Sequence, residues 1–302
     1  MLVNVCMITY NQEIYIREAL ESILNQITSF DFEIIIADDH STDQTVGIIK
    51  EVIGNHQHGA RIKLKENQSN LGFKENFKYA LSLCKSKYIA FCEGDDFWID
   101  NMKLQRQFDF LEENEFYSFC THHCNFFWES LNRIILNSNY QFPENIGFGT
   151  DYDMSSFNKG WHAGLQTLMF RSDIIKHNTF NKYKFFRDTH LLFELLLFGK
   201  GFFLNFVGSV YRIQENGVSS KEKPFERAKT NYVVYKDLVN HNPHNKLLFE
   251  RFKFFYGVYI DQLFIKNKLL GGYYKIKYAI EIKSISEVFG LVLKSLKTKI
   301  NR

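Results

Sequence analysis

Proline is scarce, with three in 302 residues. Set beside an apolar content of 45%, that scarcity excludes a disordered chain, because enough apolar surface is present to offset the entropy of ordering. Long apolar runs are missing as well. No stretch of about 18 uncharged apolar residues occurs, so a membrane-spanning helix is not expected. Cysteine is sparse and odd in number: Cys6, Cys84, Cys92, Cys120 and Cys124 cannot all pair. Three of them lie in or beside apolar runs, which points to free thiols in a reducing cytoplasm. No leader is expected, since Met1 to Ile8 already reads as a buried strand.

Aromatic residues are abundant, with 31 Phe and 16 Tyr, and part of that excess is expected on a surface that binds something. The net charge of +3 conceals an asymmetry. Residues 1–220 carry 20 Lys and Arg against 27 Asp and Glu, whereas residues 221–302 carry 17 against 7. The two parts therefore face different partners. The length suffices for a full α/β core plus an appendage.

The first hundred residues alternate strand and helix patterns. Strands are expected at Val3 to Ile8, Phe32 to Ala37, Arg61 to Lys65 and Tyr88 to Phe91. Helices are expected at Glu13 to Gln26, Asp43 to Ile53 with Ser41 as its cap, Lys74 to Cys84, and Asn101 to Asn114. Such alternation implies a mainly parallel sheet flanked by helices, joined by right-handed crossovers. Further on, Tyr117 to Phe127, Leu165 to Phe170 and Gly201 to Tyr211 read as strands, and Asp188 to Phe198 as a helix. From Pro224 the pattern becomes long helices rich in Lys, Phe, Tyr and Leu.

The most informative stretch is Tyr88-Ile89-Ala90-Phe91-Cys92-Glu93-Gly94-Asp95-Asp96-Phe97-Trp98. A strand that crosses the core delivers the residues after it to the rim of the sheet, where open α/β sheets bind ligands. Adjacent carboxylates repel, and a hard divalent cation is the usual counter-charge. Magnesium or manganese, held by one or two carboxylates plus substrate phosphates, suits this pattern better than a closed protein cage. Two other strand ends carry polar groups to the same rim: Thr9-Tyr10-Asn11, and Asp38-Asp39-His40-Ser41-Thr42-Asp43.

Taken in order with Asn70-Leu71-Gly72, these motifs resemble the GT-A fold glycosyltransferases of family 2, over roughly residues 1–220. Members of that family are inverting enzymes of bacterial polysaccharide synthesis, O-antigen included. The resemblance implies a nucleotide-binding half (1–100), an acceptor-binding half (101–220) and a helical extension (221–302). It implies that Thr9, Tyr10 and Asn11 form the floor under a nucleotide base, and that Asp39 accepts the uracil N3–H while Asp38 is structural. Asp95 would reach the ribose or the metal, and Asp96 would ligate a Mn2+ or Mg2+ ion between the phosphates. Glu93 stands where the family more often has Asp, and it ranks below both.

Asn70 and Lys74 match the segment that borders the diphosphate. Asp188, in Phe185-Phe186-Arg187-Asp188-Thr189-His190, matches the catalytic base, with an N-cap as its structural alternative and His190 as a fallback base. Arg212 matches a diphosphate contact, and Gln214 replaces the family's usual His. Trp161 and His162 match the acceptor pocket, with a packed loop histidine as the alternative for His162. The partners so implied are a nucleotide-sugar donor, most often UDP-linked, and a saccharide acceptor, carried in some relatives on a lipid diphosphate. Two rival classes are a nucleotidyltransferase and a non-catalytic binding homologue; Thr9 to Arg17 lacks the former's triphosphate loop, and the intact set of acids opposes the latter.

Cys120, His122 and Cys124 alternate on one strand and could be read as zinc ligands, but one flat strand places them poorly for a tetrahedron. Core thiols are the expected reading. Glu287 to Ile300 sets apolar residues on one side with Lys294, Lys297 and Lys299 near its end. Such a helix can lie on an anionic membrane surface, at the inner face of the cytoplasmic membrane. A helical cap packed on the catalytic domain is the alternative. No nucleic-acid recognition motif is present.

Overall fold

The computed structural model describes residues 1–135, 147–161, 163–174, 179–214 and 223–282. His162, residues 215–220 and the 287–300 segment thus lie outside the described residues. The chain divides into two compact units, Met1–Ser220 and Lys221–Arg302.

In the first unit, β1 (Val3–Thr9), β2 (Phe32–Asp38), β3 (Ile62–Glu66) and β4 (Tyr88–Phe91) form one parallel block; β1, β2 and β4 are apolar runs buried on both faces, as parallel strands covered by helices must be. Their order is β3-β2-β1-β4, all parallel, with Thr9 opposite Asp38 and Cys6 opposite Phe91. The order reverses between β1 and β4, which opens a crevice at their carboxyl ends. Helices α1 (Ile16–Leu24), α2 (Thr45–Asn55) and α3 (Phe73–Leu83) are the crossovers. α1 buries Ile16, Ala19, Leu20, Ile23 and Leu24, one stripe at helical spacing.

Beyond β4 come the short β5 (Phe97–Trp98), α4 (Lys103–Glu113), β6 (Phe119–Trp128) and β7 (Arg133–Ile135). They are followed by β8 (Gly149–Tyr152), α5 (Met154–Lys159), β9 (Met169–Arg171), α6 (Asp188–Phe198) and β10 (Gly201–Ile213). β9 is antiparallel to both β4 and β6, and β10 is parallel to β6. It follows that β1, β2, β3, β4, β6 and β10 all run the same way, so their carboxyl ends share one rim. That rim is where the acids stand.

Two local expectations are corrected. The expected strand from Leu165 is instead a 3-10 turn over Leu165–Thr167, pinned by the Thr167 N–H and hydroxyl on the Gly164 carbonyl, and extended structure begins only at Met169. Ser41 does not cap α2. Its hydroxyl donates to Asp38 at 2.5 Å, and the Thr45 N–H is taken by Asp43 at 2.9 Å.

The second unit contains α7 (Pro224–His241), α8 (Lys246–Lys266) and α9 (Lys268–Ile282). Aromatic rings form the seam between its helices. Tyr232 stacks on Tyr259 with centroids 4.8 Å apart and planes 10° apart, and Tyr235 stacks on Phe255 at 4.7 Å.

Candidate active site

The rim begins with two residues in the left-handed region, Asn11 (φ 51°) and His40 (φ 65°), strain that the surrounding hydrogen bonds hold in place. Asn11 donates its N–H to Ser41 Oγ at 2.9 Å and accepts the Thr42 N–H at 2.8 Å, which ties the end of β1 to the end of β2. Tyr10 is half exposed beside them. Asp39 is buried and accepts from Asn67 Nδ2 (3.0 Å), Leu71 N (2.8 Å) and Gly72 N (2.9 Å), while Asn70 donates to its carbonyl at 3.2 Å. Gly72, at φ 79°, gives that turn a conformation that side chains resist. A carboxylate offers about four acceptor positions, so Asp39 retains one, on Oδ2. Asp38 is consumed by Ser41, whose N–H and hydroxyl bond to its two oxygens.

The acidic turn after β4 is packed from both sides. A Cβ on Gly94 would meet Gln12 Oε1 at 2.3 Å, Ile16 Cδ1 at 3.0 Å and Thr9 Oγ1 at 3.1 Å, so a larger residue there would have to displace the Gln12 side chain. Arg212, near the end of β10, donates its backbone N–H to Asp96 Oδ1 and its Nε to the Asp95 carbonyl, both at 2.9 Å. Its guanidinium lies among the rings of Tyr15, Phe97 and Phe127 and pairs with Glu18 and, at 3.9 Å, with Glu129. Arg212 thus fixes the turn in place. Gln214 donates to Asp95 Oδ2 at 2.7 Å.

Burial and mutual repulsion push these carboxyls up. Glu93 rises to about 8, from burial first, then from the charges of Asp95 and Asp188. Burial raises Asp95, against the pull of Arg212 and Gln12, and raises Asp96 well above the usual range with help from Asp95 and Glu93. Asp96 Oδ2 is buried and has no hydrogen-bond partner. An orphaned carboxylate oxygen beside a second crowded carboxylate fits a hard cation. Among the described residues no group of three His, Cys, Asp or Glu side chains is arranged to hold a metal by itself, so such an ion would draw further oxygens from a ligand.

Asp188 is the first residue of α6, with Arg187 in the cap position, so the capping alternative is displaced by one residue. Its exposed carboxylate accepts the following Thr189 N–H at 2.8 Å. The segment before it is fixed by α3: Phe77 packs on Phe186 and Phe180, and Lys74 Nζ donates to the Tyr183 carbonyl at 2.9 Å. Lys74 thus ties α3 to the approach to α6. His190 is a core residue; its Nδ1 accepts the Arg187 N–H, and its ring lies 4.5 Å from that of Tyr183. Trp161 follows α5, where its carbonyl accepts Tyr152 Oη at 2.9 Å. Cys120, His122 and Cys124 are buried in β6, with Cys120 Sγ bonding the Gln107 carbonyl and the His122 ring against Phe206.

Four contributors escape sequence reading: Gln12, Glu18, Glu129 and the extent of Gln214's role. Gln214 left a signal, as the departure from the family's His. The others left none, because each acts through a partner far away in the chain.

The strand order, the crevice and the acid turn are those of the GT-A fold. Residues 4–179, more than half of the chain, match Glycosyl transferase family 2, and the chain belongs to that family. This sets aside the nucleotidyltransferase alternative. An uncharacterized protein of Mycobacterium tuberculosis is 44% identical over 119 residues, 39% of this chain and 34% of that one. The chain thus spans about a third of the length of the mycobacterial relatives it matches. The UDP-Glc:alpha-D-GlcNAc-diphosphoundecaprenol beta-1,3-glucosyltransferase WfaP of Escherichia coli is 29% identical over 223 residues, 73% of this chain and 81% of that one. In solved structures the fold is similar to S. aureus TarS 1-349 in complex with UDP-GlcNAc (TM-score 0.59, 17% identity, 87% of this chain and 73% of that one). It is also similar to the mannosyltransferase PcManGT of Pyrobaculum calidifontis in complex with GDP-Man and Mn2+ (TM-score 0.58, 13% identity, 99% and 80%).

Proposed function

We propose that this chain is an inverting, metal-dependent glycosyltransferase that moves a sugar from a UDP-sugar to a saccharide acceptor on a lipid diphosphate, in surface polysaccharide synthesis. The observation that carries the reading is the crowded acid turn, with the orphaned oxygen of Asp96, within electrostatic reach of an exposed Asp188. Asp96 and Asp95 would hold the divalent ion, with Gln214 and Arg212 fixing their orientation. When bound, a divalent ion offsets the charge that grows on the departing nucleoside diphosphate.

Asp188 acts from the other side of the sugar. Its carboxylate takes the proton of the acceptor hydroxyl as that oxygen attacks C1, so the anomeric configuration inverts as the C1–O bond to the diphosphate breaks. Thr9, Tyr10 and Asn11 border the base, and the remaining acceptor position on Asp39 Oδ2 suits a uracil N3–H. The same preference selects against a base that offers no such donor. Asn70 and the Asn70–Gly72 turn border the diphosphate, while Trp161 and His162 are assigned to the acceptor side.

The lipid-linked acceptor is supported by the name of WfaP, whose likeness extends over 73% of this chain. A carrier of that kind places the reaction at the inner face of the cytoplasmic membrane, with the protein attached peripherally through its basic C-terminal unit. A panel of nucleotide sugars, read by hydrolysis and by protection against thermal unfolding with and without manganese, tests the donor. Protection by UDP-sugars that disappears with EDTA is expected. Equal protection without metal would remove the metal from the reading.

A further inference from the structure

In the C-terminal unit, α9 has its faces exchanged. It lies on α8 through Gly271, Lys275 and Tyr278, all buried. A Cβ on Gly271 would meet Phe264 Cα at 2.5 Å, Lys275 Nζ sits 4.4 Å above the Phe264 ring and 4.0 Å from Asp261, and the Tyr278 ring is 4.9 Å from that of Tyr256. The opposite face carries Leu269, Tyr273 and Ile276, which are 90%, 60% and 62% exposed. At 3.6 residues per turn these three fall within about 60° of one another. A surface helix of a globular protein turns its apolar stripe inward and its lysines outward. Here a lysine goes in and the apolar stripe goes out. On the same helix Lys268 and Lys277 flank the stripe.

We propose that this outward face of α9 docks on an anionic bilayer surface. The inference deepens the peripheral-membrane part of the function above and rests on it. Three observations choose lipid as the occupant. The first is composition: an apolar stripe with a tyrosine, edged by lysines, matches the acyl boundary, the headgroup level and the lipid phosphates in turn. Charge is the second, since residues 221–302 hold 17 Lys and Arg against 7 Asp and Glu. A second copy docked on the same face would set lysines against lysines, which opposes self-association. The third is length: among the described residues no helix is long and apolar enough to cross a membrane, so α9 meets it lying flat.

The test floats the full chain with phosphatidylcholine vesicles, with and without about a third phosphatidylglycerol. Binding should require the anionic lipid and fall as salt rises. Changing Leu269, Tyr273 and Ile276 together to Ser should lower partitioning about a hundredfold. Lys268→Gln should lower it about fivefold, on anionic vesicles alone. If the triple variant melts early, Leu269→Ser alone still reports, with a loss of about fivefold. Protection by UDP-sugar is read on the same samples and should not change. Its absence in the unaltered chain would sink the UDP-donor reading while leaving the lipid result intact. Equal flotation of wild type and the serine variants overturns the proposal. A dimer that the serine variants dissolve, with no dependence on lipid, overturns it too.

Discussion

Asp188→Asn separates chemistry from structure at the first residue of α6. The carboxylate's observed bond is to the Thr189 N–H through Oδ1, which an asparagine oxygen can also accept. What is lost is one negative charge in the first helical turn, worth about 0.3–1 kcal/mol against the helix dipole. In a domain of this size each kcal/mol moves the melting point by about 2–4 °C, so the variant should melt at most about 4 °C lower. Relief of Glu93, whose proton affinity Asp188 raises, works in the opposite direction and makes that figure an upper bound. The chemical effect is far larger. Loss of a general base typically lowers turnover about 10²- to 10⁴-fold, equivalent to about 2.7–5.4 kcal/mol on the barrier. The assay is UDP release in the presence of a lipid-diphosphate saccharide acceptor, with donor protection and melting measured alongside. Turnover down at least about a hundredfold with donor protection intact is expected. Near-normal turnover in Asp188→Asn would refute the base assignment.

Asp96→Asn should keep the fold and abolish donor protection by manganese and UDP-sugar together; unchanged metal-dependent protection would remove Asp96 from the metal site. Gly94→Ala drives a methyl to 2.3 Å from Gln12 Oε1, so stability should fall by about 1–3 kcal/mol and donor binding should weaken. An alanine variant with ordinary donor affinity would show that the turn has more room than its geometry allows. Lys103 is buried with Nζ 3.8 Å over the Trp98 ring, and burial lowers its pKa from 10.5 to about 7. Between those values the unfolded chain is protonated at this site and the folded one is not, so its contribution to stability is lost as pH falls from 10.5 toward 7. Lys103→Met should flatten that slope and raise the melting point near neutral pH; a slope identical to wild type would assign it to other groups.

The parts of this structure legible in the sequence are those with local causes. β1, β2 and β4 announce themselves as continuous apolar runs, and the acids after β4 reach the rim because a strand of fixed rise carries them there. The bounds of α6 were legible because its apolar run is continuous and starts at a favourable Asp. The orientation of β9 was not legible, since three residues carry no direction. Nor were the contacts that hold Arg212 and Lys74. Each binds a backbone carbonyl more than a hundred residues away, Arg212 that of Asp95 and Lys74 that of Tyr183, and no local pattern encodes a contact of that span. The outward face of α9 was hidden for a related reason. Its spacing is that of any amphipathic helix, and only the packing of Gly271 and Lys275 on Phe264 says which side faces in.

The two-residue strand β5 sets the order in which this molecule can be completed. Its ladder partners are Ser209 and Val210 of β10, and it directly follows Asp95 and Asp96. The β1 to β4 block lies entirely within the first 91 residues, whereas the β5–β10 pairing closes a further loop of more than a hundred residues. On the ribosome, the acids emerge long before the strand that clamps them. The contacts of Arg212 and Gln214 to Asp95 and Asp96 can form only once β10 has paired with β5. The cation site proposed above would therefore be completed late, after the chain has been made as far as β10.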